Sequence, residues 1–282
     1  MFLSVMTATR KKVVLSLTAV LIAGLGIGIP VAAQTVVIED GLIGYWSFDE
    51  DTVKGNTVKD IWGTQDAEMI GKLQIVEGKF GEAVRLEGGA GARVQITDDI
   101  KKAELPTEEM TVELWVWDEQ FIEWGGYMVA VQDNGAFEKG WLIGTRWKAF
   151  SFALSSDGAD DGDGLLTYLN SANTYDVNEW HHVVGTYDGK EMKIYVDGKL
   201  EGTSGVQSGV INYPDRIFFS MGAYKDDNED FVHKGMIDEV RLYDRALSEK
   251  EVSNNLEAEG LAVEAAGKLS LTWGQIKAAA NR

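Results

Sequence analysis

The chain has 282 residues, a formal charge of −19 at pH 7 and no cysteine. A chain of this length buries enough surface to fold without disulfides; it has no thiol nucleophile or thiolate ligand, and its three histidines are too few to stand in for the thiolates of a structural zinc site. The acidic excess argues against nucleic acid or an anionic membrane surface as partner, whereas clustered carboxylates would draw cations.

At the start, Arg10-Lys11-Lys12 precede an apolar run from Val13 to Ile29, then Pro30 and the small residues Val31-Ala32-Ala33. This is the order of an export signal, with residues 1–33 removed and the mature chain beginning near Gln34. The run is close to the roughly 17 residues that suffice to span a bilayer, so an uncleaved membrane anchor is the alternative. Removal takes three basic side chains and no acidic one, leaving 23 Lys plus Arg against 45 Asp plus Glu, a formal −22. The expected location is secreted or periplasmic, with no membrane contact beyond the signal.

After a short linker (34–40), short apolar or alternating stretches separated by Gly, Asp and Asn run from Leu42 to about Tyr243 without a helical period. They predict many short strands. Met110–Trp117, Ala149–Leu154 and Glu191–Val196 are the clearest, and in the last Met192, Ile194 and Val196 share one face. Asp188-Gly189 and Asp197-Gly198 each predict a two-residue hairpin loop, giving three strands that run up, down and up. Ser248-Glu-Lys-Glu251 predicts a capping box that opens a helix, with Gly260 as its stop. No internal repeat is visible, so the chain reads as one domain over 41–259, all-β, a sandwich or barrel, with a C-terminal tail over 260–282.

Four stretches occur in order: Gly41-Leu-Ile-Gly-Tyr-Trp-Ser-Phe-Asp-Glu50, Trp180-His-His-Val-Val-Gly-Thr-Tyr-Asp-Gly189, Ile194-Tyr-Val-Asp-Gly198 and Gly235-Met-Ile-Asp-Glu-Val-Arg-Leu-Tyr-Asp-Arg-Ala-Leu-Ser248. Over residues 41–259 the chain resembles the LamG-like jelly-roll family of the concanavalin A-like lectin and glucanase superfamily. The resemblance implies a two-sheet antiparallel jelly-roll sandwich with its first and last strands adjacent. It also implies an accessory module that binds glycans or proteins rather than an enzyme. A structural Ca2+ at a sheet edge is a further implication, carried here by Asp49 and Asp238 with Asp60 as a third ligand; calcium takes six to eight oxygens from carboxylates, carbonyls and water. The alternative is that these aspartates cap turns through backbone hydrogen bonds.

Other acidic and histidine motifs carry less. Asp157-Gly-Ala-Asp-Asp-Gly-Asp-Gly164 fails the EF-hand pattern, with Ala159 at the third position and Tyr168 at the twelfth, and reads as a solvated hairpin loop. Asp226–Asp230 reads as an exposed loop tip. His181 and His182 are adjacent on a strand and point to opposite faces, so they cannot ligate one ion; one is expected in the sheet and one at the surface. Retaining glucanases of the superfamily carry Glu-x-Asp-x-x-Glu, and Glu113-Leu-Trp-Val-Trp-Asp-Glu119 does not meet it. Aromatic platforms suit sugar rings, and Trp124, Trp141, Trp147 and Tyr224, near glycine-rich or polar connections, are the ligand-binding candidates. The expected function is non-enzymatic binding of an extracellular polysaccharide or glycoprotein by a monomer. The alternatives are an adhesion or scaffold domain that binds a protein, or a glycoside hydrolase or lyase.

Overall fold

The computed structural model describes residues 35–135, 137–158 and 166–258. The export signal, the tail over 260–282 and most of the Asp157–Gly164 stretch lie outside the described residues, as does Gly260. Among the described residues nineteen strands follow in chain order. They are β1 (Leu42–Trp46), β2 (Val53–Lys54), β3 (Thr57–Val58), β4 (Ala67–Ile70), β5 (Leu73–Glu77), β6 (Glu82–Glu87), β7 (Arg93–Asp99), β8 (Met110–Gln120), β9 (Gly126–Asp133) and β10 (Glu138–Arg146). The second half holds β11 (Ala149–Leu154), β12 (Thr167–Asn170), β13 (Trp180–Tyr187), β14 (Met192–Val196), β15 (Lys199–Ser204), β16 (Arg216–Met221), β17 (Ala223–Lys225), β18 (Asp230–Val232) and β19 (Lys234–Tyr243), then helix α1 (Glu249–Leu256).

The first sheet runs β15-β14-β13-β8-β19-β6-β5, with β1 also paired to β19, and the second runs β12-β11-β10-β9-β16-β7-β4-β3-β2. All strand pairs are antiparallel, and this is the expected jelly-roll sandwich with first and last strands adjacent. Alternation explains the layers. On β8, Val112, Leu114 and Val116 face inward and meet Trp141, Ile143, Phe152 and Phe219 of the second sheet in the main core. The other face of the first sheet buries Leu42, Tyr45, Val184 and Tyr243 beneath Leu247 and Val252 of the closing segment and helix. The outer face of the second sheet carries a smaller cluster, Val129, Val131, Leu142, Ala153, Leu166 and Tyr224. The β17–β18 hairpin contributes Tyr224 to it.

The three-strand meander forms as predicted, but its two turns differ. Asp197 (φ 50°) and Gly198 (φ 74°) make the two-residue loop between β14 and β15. The β13–β14 loop takes four residues, because Tyr187 pairs with Met192 and the Asp188 carboxylate accepts the Lys190 and Glu191 N–H groups. The Ser248 capping box is present, and α1 ends at Leu256, short of the expected Gly260. Among the described residues no helix is long and apolar enough to cross a membrane.

Candidate functional site

The β10–β11 hairpin closes through only two residues, Trp147 and Lys148, since Arg146 pairs with Ala149. Both sit in the left-handed region, at φ 51° and 66°. A two-residue loop of this hand matches the strand twist, but Asn-Gly is its favoured sequence. A tryptophan there costs about 1–2 kcal/mol in backbone strain. It is nevertheless 61% exposed, the largest exposed hydrophobic side chain among the described residues. Nearby, Trp124 is also left-handed (φ 65°), in a turn where the Gly125 N–H donates to the Ile122 carbonyl. Thr145 of β10 fixes that turn by donating its hydroxyl to the Ile122 carbonyl and its N–H to the Gly125 carbonyl.

These two strained turns bring their indoles together. The Trp124 and Trp147 ring centroids are 6.3 Å apart, and Trp124 meets the Tyr168 ring edge-on at 5.3 Å. The Arg146 guanidinium lies over both indoles, 4.3 Å from Trp124 and 4.2 Å from Trp147, and 5.2 Å from the Tyr168 ring. Strand alternation places Arg146 and Tyr168 on the outer face of the second sheet, beside Leu142 and Ala153. Trp124 and Trp147 are therefore the two sequence candidates that the fold unites. The Tyr168 hydroxyl donates to Glu138 Oε1, and burial pushes the Glu138 carboxyl up from its ordinary value. Farther along the same face, Asp133, Asp226 and Glu229 bring carboxylate oxygens within 4.8 Å of one another. Asp226 is buried at the hairpin turn, where its Oδ1 accepts the Asn228 and Glu229 N–H groups, so the expected exposed loop tip is in part an internal brace.

Two aromatic candidates are corrected. Trp141 is 0% exposed, its indole packs on Phe219 in the core, and its Nε1 donates to the Tyr213 hydroxyl. Tyr224 is 3% exposed beneath its own hairpin, stacked near Phe231 and donating to Glu138. Neither presents a ring to a ligand.

Asp49, Asp60 and Asp238 do not converge as one set of three ligands. Asp60 caps its own loop: Oδ1 accepts the Tyr45, Trp62 and Gly63 N–H groups and Oδ2 that of Gln65. This is the turn-capping alternative, with both Asp60 oxygens engaged by its own loop. Asp238 and Asp49 face the Gly78–Gly81 turn from two sides, Asp238 Oδ2 accepting the Lys79 and Phe80 N–H groups and Asp49 Oδ1 that of Glu82. A Cβ at Gly78 would come within 2.7 Å of Asp238 Oδ2, and one at Gly81 would strike Asp49 Oδ1. Asp238 Oδ1 is buried without a hydrogen bond, and burial, with Glu239 and Asp49 adding to it, pushes this carboxyl well up. A buried carboxylate beside two others, with one oxygen unmet, is the chemistry of a cation site for Asp49 and Asp238.

The other titratable groups are interior. His181 faces the core and pairs with Asp197 at 2.9 Å, and His182 on the opposite face lies 3.5 Å from Glu113. Both are buried, so the expectation of one surface histidine does not hold; aromatic neighbours cover His181 and Trp115 stacks on His182. Glu113 and Asp118 lie on opposite faces of β8, and Glu119 pairs with Arg85. Asp118 accepts the Tyr127 hydroxyl and faces His233 at 3.4 Å. Burial lifts Asp118 to about 7, against the lowering effects of Tyr127 and His181, and holds His233 down at about 4.

These two groups act oppositely on stability. The Asp118 contribution is full below its unfolded value near 4 and is lost as pH rises through about 7; that of His233 is present above about 6.5 and is lost as pH falls through about 4. Between them the slopes cancel, at about 1.4 kcal/mol per pH unit each. In His233→Gln the Asp118 slope stands alone. Denaturant titrations should then show the variant gaining about 2 kcal/mol on wild type between pH 6.5 and 5; parallel profiles would contradict this assignment.

Comparison with known proteins agrees with this architecture. The sequence profile of the Laminin_G_3 family, described as concanavalin A-like lectin/glucanases superfamily, matches residues 88–253. Human (Homo sapiens) Pappalysin-1 is 26% identical over 187 residues, 61% of this chain and 11% of that protein. The chain thus spans only about a tenth of this curated relative. Domain 4 of AbnA, a GH43 extracellular arabinanase from Geobacillus stearothermophilus solved with arabinotriose, superposes with a TM-score of 0.54 at 20% identity, covering 77% of this chain and 98% of that one. A botulinum neurotoxin type C structure, from work on its interaction with two ganglioside molecules, gives 0.53 at 22% identity over 77% of this chain and 51% of that one.

Proposed function

Because the chain belongs to the concanavalin A-like lectin/glucanases superfamily, we propose that it is an exported, non-catalytic module that binds an extracellular polysaccharide or glycoconjugate on the outer face of its second sheet. One observation carries this reading. Trp147 is held exposed in a strained two-residue turn, against Trp124 and across Arg146. An exposed indole at a strained position contributes little to folding, whereas its flat face suits the apolar face of a sugar ring. The arabinotriose complex of the arabinanase domain and the ganglioside interaction of the neurotoxin support the same class of ligand for this fold. In this reading residues 1–33 direct export and 41–259 form the module.

A glycan array probed with the purified protein tests the reading. Binding to one glycan class that is lost in Trp147→Ala supports it; no binding to any glycan moves the function to a protein partner.

We assign a structural calcium to Asp49 and Asp238, without Asp60. Its bond to Asp238 Oδ1 would meet the buried oxygen that has no donor and offset the repulsion from Asp49 and Glu239. If the ion is bound at a hundredfold excess over its Kd, chelator should remove about 2.7 kcal/mol of stability, and Asp238→Asn should lose stability and the response to chelator together. Should Asp238→Asn instead be more stable than wild type, the carboxyl is a buried burden and no ion is held there.

A further inference from the structure

We propose that this platform selects saccharides carrying a carboxylate, with Arg146 as the residue that reads it; the inference rests on the saccharide reading above. Among the described residues, every other arginine has a polar partner. Arg85 pairs with Glu119, Arg216 with Asp227, Arg241 with Glu113 and Glu239, and Arg245 with Asp40 and Glu251, while Arg93 donates to Gln95 and the Gly91 carbonyl. In a chain with 45 acidic side chains, Arg146 alone among them has neither an ion pair nor a hydrogen bond, and its Nε is buried without an acceptor.

Its place is fixed all the same. Its guanidinium carbon lies over the Trp124 and Trp147 rings, at 4.3 and 4.2 Å, and 5.2 Å from the Tyr168 ring, so three aromatic rings surround it. A guanidinium held this way has lost the rotamer freedom that pairing would otherwise remove, and its planar fork matches a carboxylate through two parallel hydrogen bonds. Two acids of the same face have partners of their own. Glu138 is engaged by the Tyr168 and Tyr224 hydroxyls and the Leu166 N–H, and Asp226 by its own turn. Arg146 thus supplies a positive, directional group beside an exposed indole, in a protein whose net field repels anions at longer range. A sugar ring stacked on Trp147 would place a ring carboxylate within reach of that fork.

Two sources share this chemistry, hexuronates in polysaccharides and nonulosonic acids at glycan termini. Calorimetry on the purified protein with trigalacturonate, its carboxyl-reduced trisaccharide, sialyllactose and lactose separates them. At least one acidic probe should bind tenfold or more tightly than its neutral counterpart. Arg146→Gln should abolish that ratio, Arg146→Lys should restore it only in part, and near-UV circular dichroism should show each variant folded. The inference is overturned if neutral and acidic partners bind alike, or if the ratio persists in Arg146→Gln. Equal binding that Trp147→Ala removes would refute the selectivity and leave the platform standing; no binding by any of the four overturns the selectivity, and only silence across the glycan array as well would refute the platform.

Discussion

Replacing Arg241 with methionine is expected to lower stability by about 3–5 kcal/mol, the range for removing one partner of a buried ion pair. Arg241 is fully buried on the helix side of the first sheet, and it bonds Glu113 Oε1 at 3.1 Å, Glu239, and the Tyr45 hydroxyl at 3.4 Å. Around it, Asn255 of α1 donates to Glu113 Oε1 and to the Tyr243 hydroxyl. The loss would come from the acids left behind: without the guanidinium, Glu113 and Glu239 lie buried and like-charged beneath the helix. Equilibrium unfolding in denaturant would measure it, and the midpoint temperature should drop on the order of 10 °C for a domain of this size. The triple variant Arg241→Met, Glu113→Gln, Glu239→Gln should recover most of the loss, since replacing a whole buried ionic group is far less damaging than breaking one. A single variant as stable as wild type would show that these charges do not depend on each other.

The second large effect separates binding from folding. Substituting Asn-Gly for Trp147-Lys148 gives the two-residue turn its preferred residues and should raise stability by about 1 kcal/mol, after allowance for the lost contact between Trp147 and Arg146. The same variant should lose glycan affinity by about tenfold or more, equivalent to 1.4 kcal/mol. Opposite signs in the two assays would identify a strained position retained for contact with a ligand. Losses in both would make Trp147 a structural residue.

Why some of this was legible in the sequence and some was not follows from particular residues. Asp197-Gly198 announces its turn because glycine and aspartate tolerate positive φ, and Ser248 to Glu251 announces the helix start through paired caps. Trp147-Lys148 announces little: it precedes the strand predicted from Ala149, but Arg-Trp-Lys-Ala-Phe holds no Gly, Asn, Asp or Pro to mark a two-residue turn, so the tightest turn of the candidate site is the least visible. Trp141 misleads for a related reason. β10 and β11 are covered on both faces, by the core on one side and the small outer cluster on the other, so their apolar runs do not show which tryptophan faces in. Asp60 belongs to a capping network whose partners are backbone N–H groups, which leave no trace in residue identity. The importance of Arg146 lies in what it lacks, a carboxylate neighbour, and only three-dimensional packing reveals that.

The segments that lead into and out of the sandwich are tied to each other: Asn255 accepts the Ile38 N–H, and Asn254 donates to the Val36 carbonyl. Both lie with α1 on the outer face of the first sheet, while Trp124, Arg146, Trp147 and Tyr168 belong to the outer face of the second. The domain therefore has a back and a front. Held from its back at one point, to a cell surface or to more chain, it would turn its aromatic front outward, and copies set side by side would present those fronts as a single layer to whatever lies opposite.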